Sequence, residues 1–138
     1  MREITVIDAS IAVKWFLASD PHRDSALAIF EGVRQHPEKF AVPELFYAEM
    51  LSVLCRLVSK DSDIKAHFEA LEQLGIERIG QGHSVMRRAI EIAAGYKLTG
   101  YDAIYAATAD LCGGIWITAD LKAHRKIASL KISKLLGA

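Results

Sequence analysis

Four carboxylates in this chain, Asp8, Glu49, Asp102 and Asp120, stand where they could do chemistry together. Asp8 directly follows the apolar run Ile4 to Ile7, and Asp120 comes two residues after Ile115-Trp116-Ile117-Thr118. In an open parallel sheet, groups that follow strands emerge at the carboxyl edge, where ligands bind. Asp102 falls in the first turn of a helix beginning at Tyr101, a position that can face the same edge. Glu49 lies in the most apolar helical stretch. Its helical neighbours Leu45, Phe46, Ser52 and Val53 offer no cation. An ionised acid so placed is costly unless something neutralises it.

Four acids brought to one edge repel one another, by about 1–4 kcal/mol for each pair at contact distance. Either some keep their protons or a divalent cation sits among them. The candidate ligands are all oxygens, which suits Mg²⁺ or Mn²⁺ rather than zinc. Such a site fits phosphodiester hydrolysis, because a cation offsets the charge of the phosphate and acidifies water. Ser10 and Thr118 stand close to two of the acids and are candidates to orient a carboxylate or a water. Each acid also has a purely structural reading. Asp8 and Asp120 are possible helix caps, Thr99 and Asp102 resemble a capping box, and Glu49 is a possible surface acid. Four unrelated caps and surface acids have no reason to share one sheet edge.

The elements that must position these groups alternate in type. Strands are expected at Ile4–Ile7, Phe40–Val42, Ile76–Ile79 and Ile115–Thr118, with a last edge strand near Lys131–Ser133. Pro43 is expected to stop the second strand. Helices are expected over Ser10–Ala18, from Asp20-Pro21 to about His36, and from Glu44 to about Lys60. Further helices run from Ser62 or Asp63 to Gly75, from Ser84 to about Leu98, over Tyr101–Leu111, and from Asp120 onward. This order predicts one α/β domain over residues 1–138, a three-layer sandwich with a central, mostly parallel sheet flanked by helices.

Composition narrows the function. Hydrophobic residues make up 51% and charged residues 25%, an ordinary globular balance. With 17 basic and 17 acidic residues the formal net charge is zero, so the chain does not coat nucleic acid by bulk charge. Contact with nucleic acid must then be local. Lys122, Arg125, Lys126, Lys131 and Lys134 follow Asp120 with no further acid, and Lys122 and Arg125 are candidate substrate contacts. Lys14, one helical turn past Ser10, is a third. Core packing or a partner-peptide groove would each explain Trp15, Phe16 and Leu17. Phe46, Tyr47, Leu51 and Leu54 suit either the core or a dimer contact. Cys55 and Cys112 read as small buried hydrophobes, and neither they nor the five scattered histidines form a zinc spacing. Met1 to Asp8 reads as a strand and lacks an apolar leader segment, and Phe40 to Val58 is too interrupted to span a membrane. A cytoplasmic location is the expectation.

The segment from Val6-Ile7-Asp8-Ala9-Ser10 to Leu17 resembles the opening motif of PIN-domain ribonucleases, specifically the VapC-type toxins of toxin–antitoxin pairs. Pro43 to Glu49 resembles their second motif, Tyr101-Asp102-Ala103-Ile104-Tyr105 their third, and Trp116 to Asp120 their fourth. The motifs run in order over nearly the whole chain. The resemblance implies a parallel-sheet PIN fold and Mg²⁺- or Mn²⁺-dependent endoribonuclease activity on an RNA substrate. It also implies a homodimer and a VapB-type antitoxin partner. Asp8, Glu49, Asp102 and Asp120 would hold metal, with Ser10 and Thr118 assisting. Asp120 occupies the position that varies most in the family. Two other readings fit parts of the pattern. One is a receiver-like Mg²⁺-binding signalling module, which needs an acceptor acid after the third strand, where Gly80-Gln81-Gly82 stands. The other is a PIN-fold RNA-binding protein without catalysis, against which the intact acidic set argues. A haloacid-dehalogenase-like phosphatase needs an Asp at position 10, which is Ser, and the P-loop pattern is absent.

Overall fold

Short β-branched runs placed between longer helical segments pair side by side in the computed structural model, which describes residues 3–137. Five strands form one parallel sheet: β1 (Thr5–Ile7), β2 (Phe40–Pro43), β3 (Glu77–Ile79), β4 (Ile115–Thr118) and β5 (Ser133–Leu135). Their spatial order is β3-β2-β1-β4-β5, so β1 is central and the order reverses beside it. Seven helices connect and cover them: α1 (Ala9–Ala12), α2 (Arg23–Gln35), α3 (Leu45–Leu57), α4 (Asp61–Glu72), α5 (His83–Tyr96), α6 (Gly100–Cys112) and α7 (Leu121–Ile127). This is the expected three-layer α/β sandwich. The part of the first strand reading that falls on Met1 and Arg2 lies outside the described residues.

Val6, Ile7, Ala41, Val42 and Trp116 are buried in the sheet, and α3 and α6 bury Phe46, Met50, Leu54, Tyr105 and Ala106 against it. Burial of both faces is why the central strands are almost uninterrupted apolar runs. The entry to β4 depends on glycine. Gly113 adopts φ +69° to end α6, and a Cβ on Gly114 would lie 2.3 Å from the Ile4 carbonyl oxygen.

Several boundaries differ from the sequence expectation. The first helix is a single α turn that tightens into 3₁₀ geometry over Val13–Phe16. Trp15 turns inward there, its indole N–H donating to the Ala26 carbonyl at 2.8 Å. The second helix starts at Arg23 rather than at Asp20-Pro21: Pro21 and His22 form a turn, across which the Asp20 carboxylate accepts from the His22 amide while its other oxygen pairs with Lys14. Pro43 completes β2 instead of stopping it, in register with Ile79. The edge strand begins only at Ser133, since Lys131 at φ +57° belongs to a turn. Cys55 is exposed, against the expectation of burial, because it lies on the outer face of α3; Cys112 is half-buried.

Candidate active site at the carboxyl edge of the sheet

Asp8 is held rather than merely located. Its position at the end of central β1 puts it at the reversal of strand order, and its amide donates to the Ile117 carbonyl. The side chain forms no helix cap, although the residue occupies the cap position of α1. Instead the Thr118 hydroxyl donates to Oδ2 at 2.6 Å and the Ser10 hydroxyl donates to the same oxygen at 3.0 Å. Each hydroxyl oxygen in turn accepts a backbone N–H, Ser10 from Ala119 and Thr118 from Asp120, both at 3.1 Å. An oxygen already accepting an amide proton points its own proton away from it, and here that direction leads to Asp8. Both donors meet Oδ2, so neither occupies Oδ1. Ser10 and Thr118 thus act on Asp8 and simultaneously fasten the β4–α7 turn to α1.

The other three acids reach the same edge by different routes. Glu49 projects from the second turn of α3, half-buried, with Oε1 buried and without a hydrogen-bond partner among the described residues. The Tyr105 hydroxyl faces it but is equally unpartnered, so the two stand close without hydrogen-bond geometry. Asp102 sits in the first turn of α6, whose start is capped by the Thr99 hydroxyl accepting from the Asp102 amide at 3.2 Å. That leaves the Asp102 carboxylate out of the cap. Asp120 is exposed and does serve as a cap, its Oδ1 accepting from the Ala123 amide at 3.1 Å. The structural reading of Asp120 therefore holds geometrically, whatever else its second oxygen does.

Asp8, Glu49 and Asp102 each feel the charge of another of the four acids. Asp8, only 6% exposed, has its carboxyl pushed above the ordinary Asp range chiefly by burial, with the Asp102 charge adding to the shift and the Thr118 and Ser10 hydroxyls opposing it. Glu49 is pushed up by burial, then by Asp8 and Asp102, against the influence of the Tyr105 hydroxyl. Asp102 is pushed up by burial and by Asp120, while Thr99 and Lys126 draw it down. None of the four forms a salt bridge among the described residues. Nor are three His, Cys, Asp or Glu side chains gathered tightly enough, among the described residues, to grip one ion as they stand.

A groove of 420 Å³ opens beside this edge, lined by Ser10, Val13, Glu49, Ser52, Arg56 and Tyr101 among others. On the α7 side, Lys122 and Arg125 share a shallow surface with Leu121 and Lys126. None of the four acids lines that surface. Lys126 donates to the Lys97 carbonyl at 2.9 Å, which places its charge near Asp102. Lys14 is different. Its ammonium is paired with Asp20 at 2.9 Å, both side chains only 14% exposed, so it braces the loop after α1 instead of standing free for a phosphate. Tyr105 was not singled out by the sequence reading. Burial and the charges of Glu49 and Asp8 push its hydroxyl above the ordinary Tyr range. Its spacing of three residues from Asp102 was the available signal.

The PIN domain family model matches residues 5–130. The chain belongs to the PIN domain family. Solved structures repeat this PIN domain's fold at low sequence identity. FitAcB from Neisseria gonorrhoeae is 15% identical with a TM-score of 0.73, covering 97% of each chain. A DNA-bound VapBC from Salmonella typhimurium is 13% identical with a TM-score of 0.71, covering 98% of this chain and 97% of its own. A toxin–antitoxin complex from Klebsiella pneumoniae is 19% identical with a TM-score of 0.67, covering 94% of this chain and 95% of its own. No curated protein matched. PIN domains are in general nucleases.

Proposed function

We propose that this PIN domain is an endoribonuclease dependent on Mg²⁺ or Mn²⁺ and acts as the toxin of a VapBC-type pair. The observation that carries the reading is that the Asp102 charge reaches both Asp8 and Glu49, and the Asp8 charge reaches Glu49, while none of the three forms a salt bridge among the described residues. A set of buried and half-buried acids with no ion-paired partner is unfavourable unless an external cation completes it. The donors fit a hard divalent ion: they are all oxygens, and Glu49 Oε1 is buried with free lone pairs. Asp8, Glu49 and Asp102 would hold the ion, with Asp120 adding charge at the rim. The carboxylates would have to draw inward from the positions they hold here. When bound, the ion supplies neutralisation of the phosphate and a more acidic water.

The chain's own groups do the rest. Ser10 and Thr118 hold Asp8 by Oδ2 and keep Oδ1 directed by a rigid ring of bonds. Tyr105, whose buried hydroxyl lacks a hydrogen-bond partner among the described residues, stands beside Glu49 as a neutral group. Lys122, Arg125 and Lys126 attract the RNA backbone to an edge that would otherwise repel it. No covalent enzyme intermediate is needed.

An antitoxin segment would seat in the apolar groove of 310 Å³ formed by Trp15, Phe16, Leu27, Phe30, Leu71 and Leu74. The structural neighbours include toxin–antitoxin complexes, and this groove has the apolar lining that an amphipathic segment needs. A homodimer is proposed as well, supported by exposed Met86 and Ile90 on α5. Leu51 is also exposed, whereas Phe46, Tyr47 and Leu54 belong to the core. No helix among the described residues is long and apolar enough to cross a membrane, which is compatible with a cytoplasmic toxin.

The direct test is cleavage of total RNA by purified protein with Mg²⁺, with Mn²⁺ and with EDTA, alongside Asp8→Asn. Cut ends that require the cation and vanish in the folded variant are expected. Equal cleavage by Asp8→Asn in EDTA would end the proposal.

A further inference from the structure

Two buried polar groups of this protein stand side by side without bonding. Glu49 Oε1, on α3, is an acceptor with no hydrogen-bond partner, and the Tyr105 hydroxyl, on α6, is a donor with none, among the described residues. Buried polar atoms are ordinarily paired, so a neighbouring donor and acceptor that both stand free call for a cause. The acids around them supply one. Glu49 feels the charges of Asp8 and Asp102, which oppose any closer approach. Tyr105 feels Glu49 and Asp8 together, so its hydroxyl stands beside both acids. The ring has no room to swing away: it is 0% exposed and stacks on Trp116, with centroids 6.2 Å apart and planes 14° from parallel. The Ala9 amide, at the start of α1 and without a partner inside that helix, faces the hydroxyl oxygen. A hydroxyl whose oxygen meets an N–H turns its proton elsewhere, and Glu49 Oε1 is a free acceptor beside it.

We infer that Tyr105 is the positioning residue for Glu49, its hydroxyl donating to Oε1 once a divalent cation removes the repulsion among the acids, so that Oε2 is the oxygen left to the ion. The inference rests on the cation-dependent reading of this site and adds the group that orients its ligand from α3. Asp8 is treated in the same way: Ser10 and Thr118 both donate to Oδ2 and neither occupies Oδ1. At Asp8 the grip is formed in advance, whereas at Glu49 it waits for the ion. A tyrosine suits the task because its hydroxyl is neutral at ordinary pH. It donates without bringing a charge that competes with the cation, as lysine or arginine would. Partners of this kind fix the orientation of a metal ligand and so tune the affinity for the ion.

The test is Tyr105→Phe, which keeps the ring and its stack on Trp116 and removes only the hydroxyl. Isothermal titration with Mn²⁺, in the absence of RNA, should show binding weakened by roughly 10- to 100-fold. The Tm of the metal-free variant should hold, since the hydroxyl has no partner to lose there. The variant should fall behind only when Mn²⁺ is added. A direct readout comes from the intact protein carrying ¹³C at the tyrosine Cζ. The resonance that Tyr105→Phe removes should shift on addition of Mg²⁺, as its hydroxyl begins to donate. Unchanged Mn²⁺ affinity, a Tyr105 resonance indifferent to Mg²⁺, or a metal-free Tm lowered as far as the loaded one would each overturn the inference, the last by assigning the hydroxyl to packing. If the intact protein binds Mn²⁺ and Tyr105→Phe binds it equally well, only the positioning role falls. If the intact protein binds neither Mg²⁺ nor Mn²⁺, the cation-dependent reading falls and takes the role of Tyr105 with it.

Discussion

Two clusters of charge in this protein are built on opposite terms. At the carboxyl edge, acids stand near one another and none forms a salt bridge among the described residues. On β3, Arg78 is saturated: it pairs with Glu44 through two nitrogens at 2.8 Å each, with Glu72 at 2.8 Å, and lies 4.0 Å over the Tyr47 ring. The neighbouring Gln81 side chain accepts from the Leu45 amide and so caps α3. These contacts tie the start of α3 and the end of α4 to β3. Burial and mutual repulsion push the carboxyls of Asp8, Glu49 and Asp102 up, whereas Arg78 holds the Glu44 carboxyl down. A cluster that satisfies its own charges serves the fold. One that leaves them unsatisfied gives up stability, as sites built to bind a ligand commonly do.

The sharpest way to break this contrast is substitution at each cluster. Asp102→Asn should lower cleavage by about a thousandfold or more, since several kcal/mol of transition-state stabilisation would go with the cation. Arg78→Ala should leave kcat within about twofold. A nuclease assay on both folded variants decides it, and comparable losses would dissolve the distinction.

Cation binding gives the next largest effect. Mg²⁺ at about a hundred times its dissociation constant should raise Tm by roughly 5–10 °C, because the ion stabilises only the folded state. Asp8→Asn should lose most of that rise. A Tm indifferent to Mg²⁺ and Mn²⁺ in differential scanning fluorimetry would remove the cation from the site.

The two clusters should also titrate with opposite signs. A carboxyl whose proton is held more tightly in the folded state contributes stability while protonated and loses it as pH rises. Metal-free protein should therefore lose Tm as pH climbs from the usual values of 3.8 for Asp and 4.5 for Glu through the raised folded values. Saturating Mg²⁺ should flatten that loss, and Asp8→Asn should reduce it. Glu44 works in reverse: its contribution is present above the ordinary Glu range and is lost as pH falls through its lowered value. A Tm profile of metal-free protein that rises across the first window would contradict the assignment.

The smallest effect is expected at Arg78 itself. Its pairs are partly exposed and screened, so Arg78→Ala should cost about 1 kcal/mol, much of it from the ring contact with Tyr47. Urea denaturation measures it directly.

Much of the arrangement was legible because its signals are local. The β-branched runs at Thr5–Ile7 and Ile115–Thr118 could only be buried strands, and an acid just after such a strand has only the sheet edge to occupy. Glu49 stood out because its helix is apolar on nearly every side. Less legible were pairings between residues distant in the chain or hidden by loop geometry. Lys14 read as a free cation until the loop after α1 brought Asp20 to it. Cys55 read as buried because its neighbours are apolar, yet the face of α3 that carries it points outward. The Arg78 cluster spans Glu44 to Arg78, and nothing in the sequence pattern marks that contact.

By itself, then, the sequence determined the alternation of elements, the parallel sheet and which acids would reach its edge, since periodicity, burial and strand ends are properties of neighbouring residues. Tertiary structure alone decided that Asp8 is gripped through one oxygen by two hydroxyls, that Asp120 also caps α7, and that Lys14 is already paired. Those outcomes turn on directions and distances of a few ångströms between segments as far apart as residues 8 and 118, and one-dimensional spacing does not carry that information.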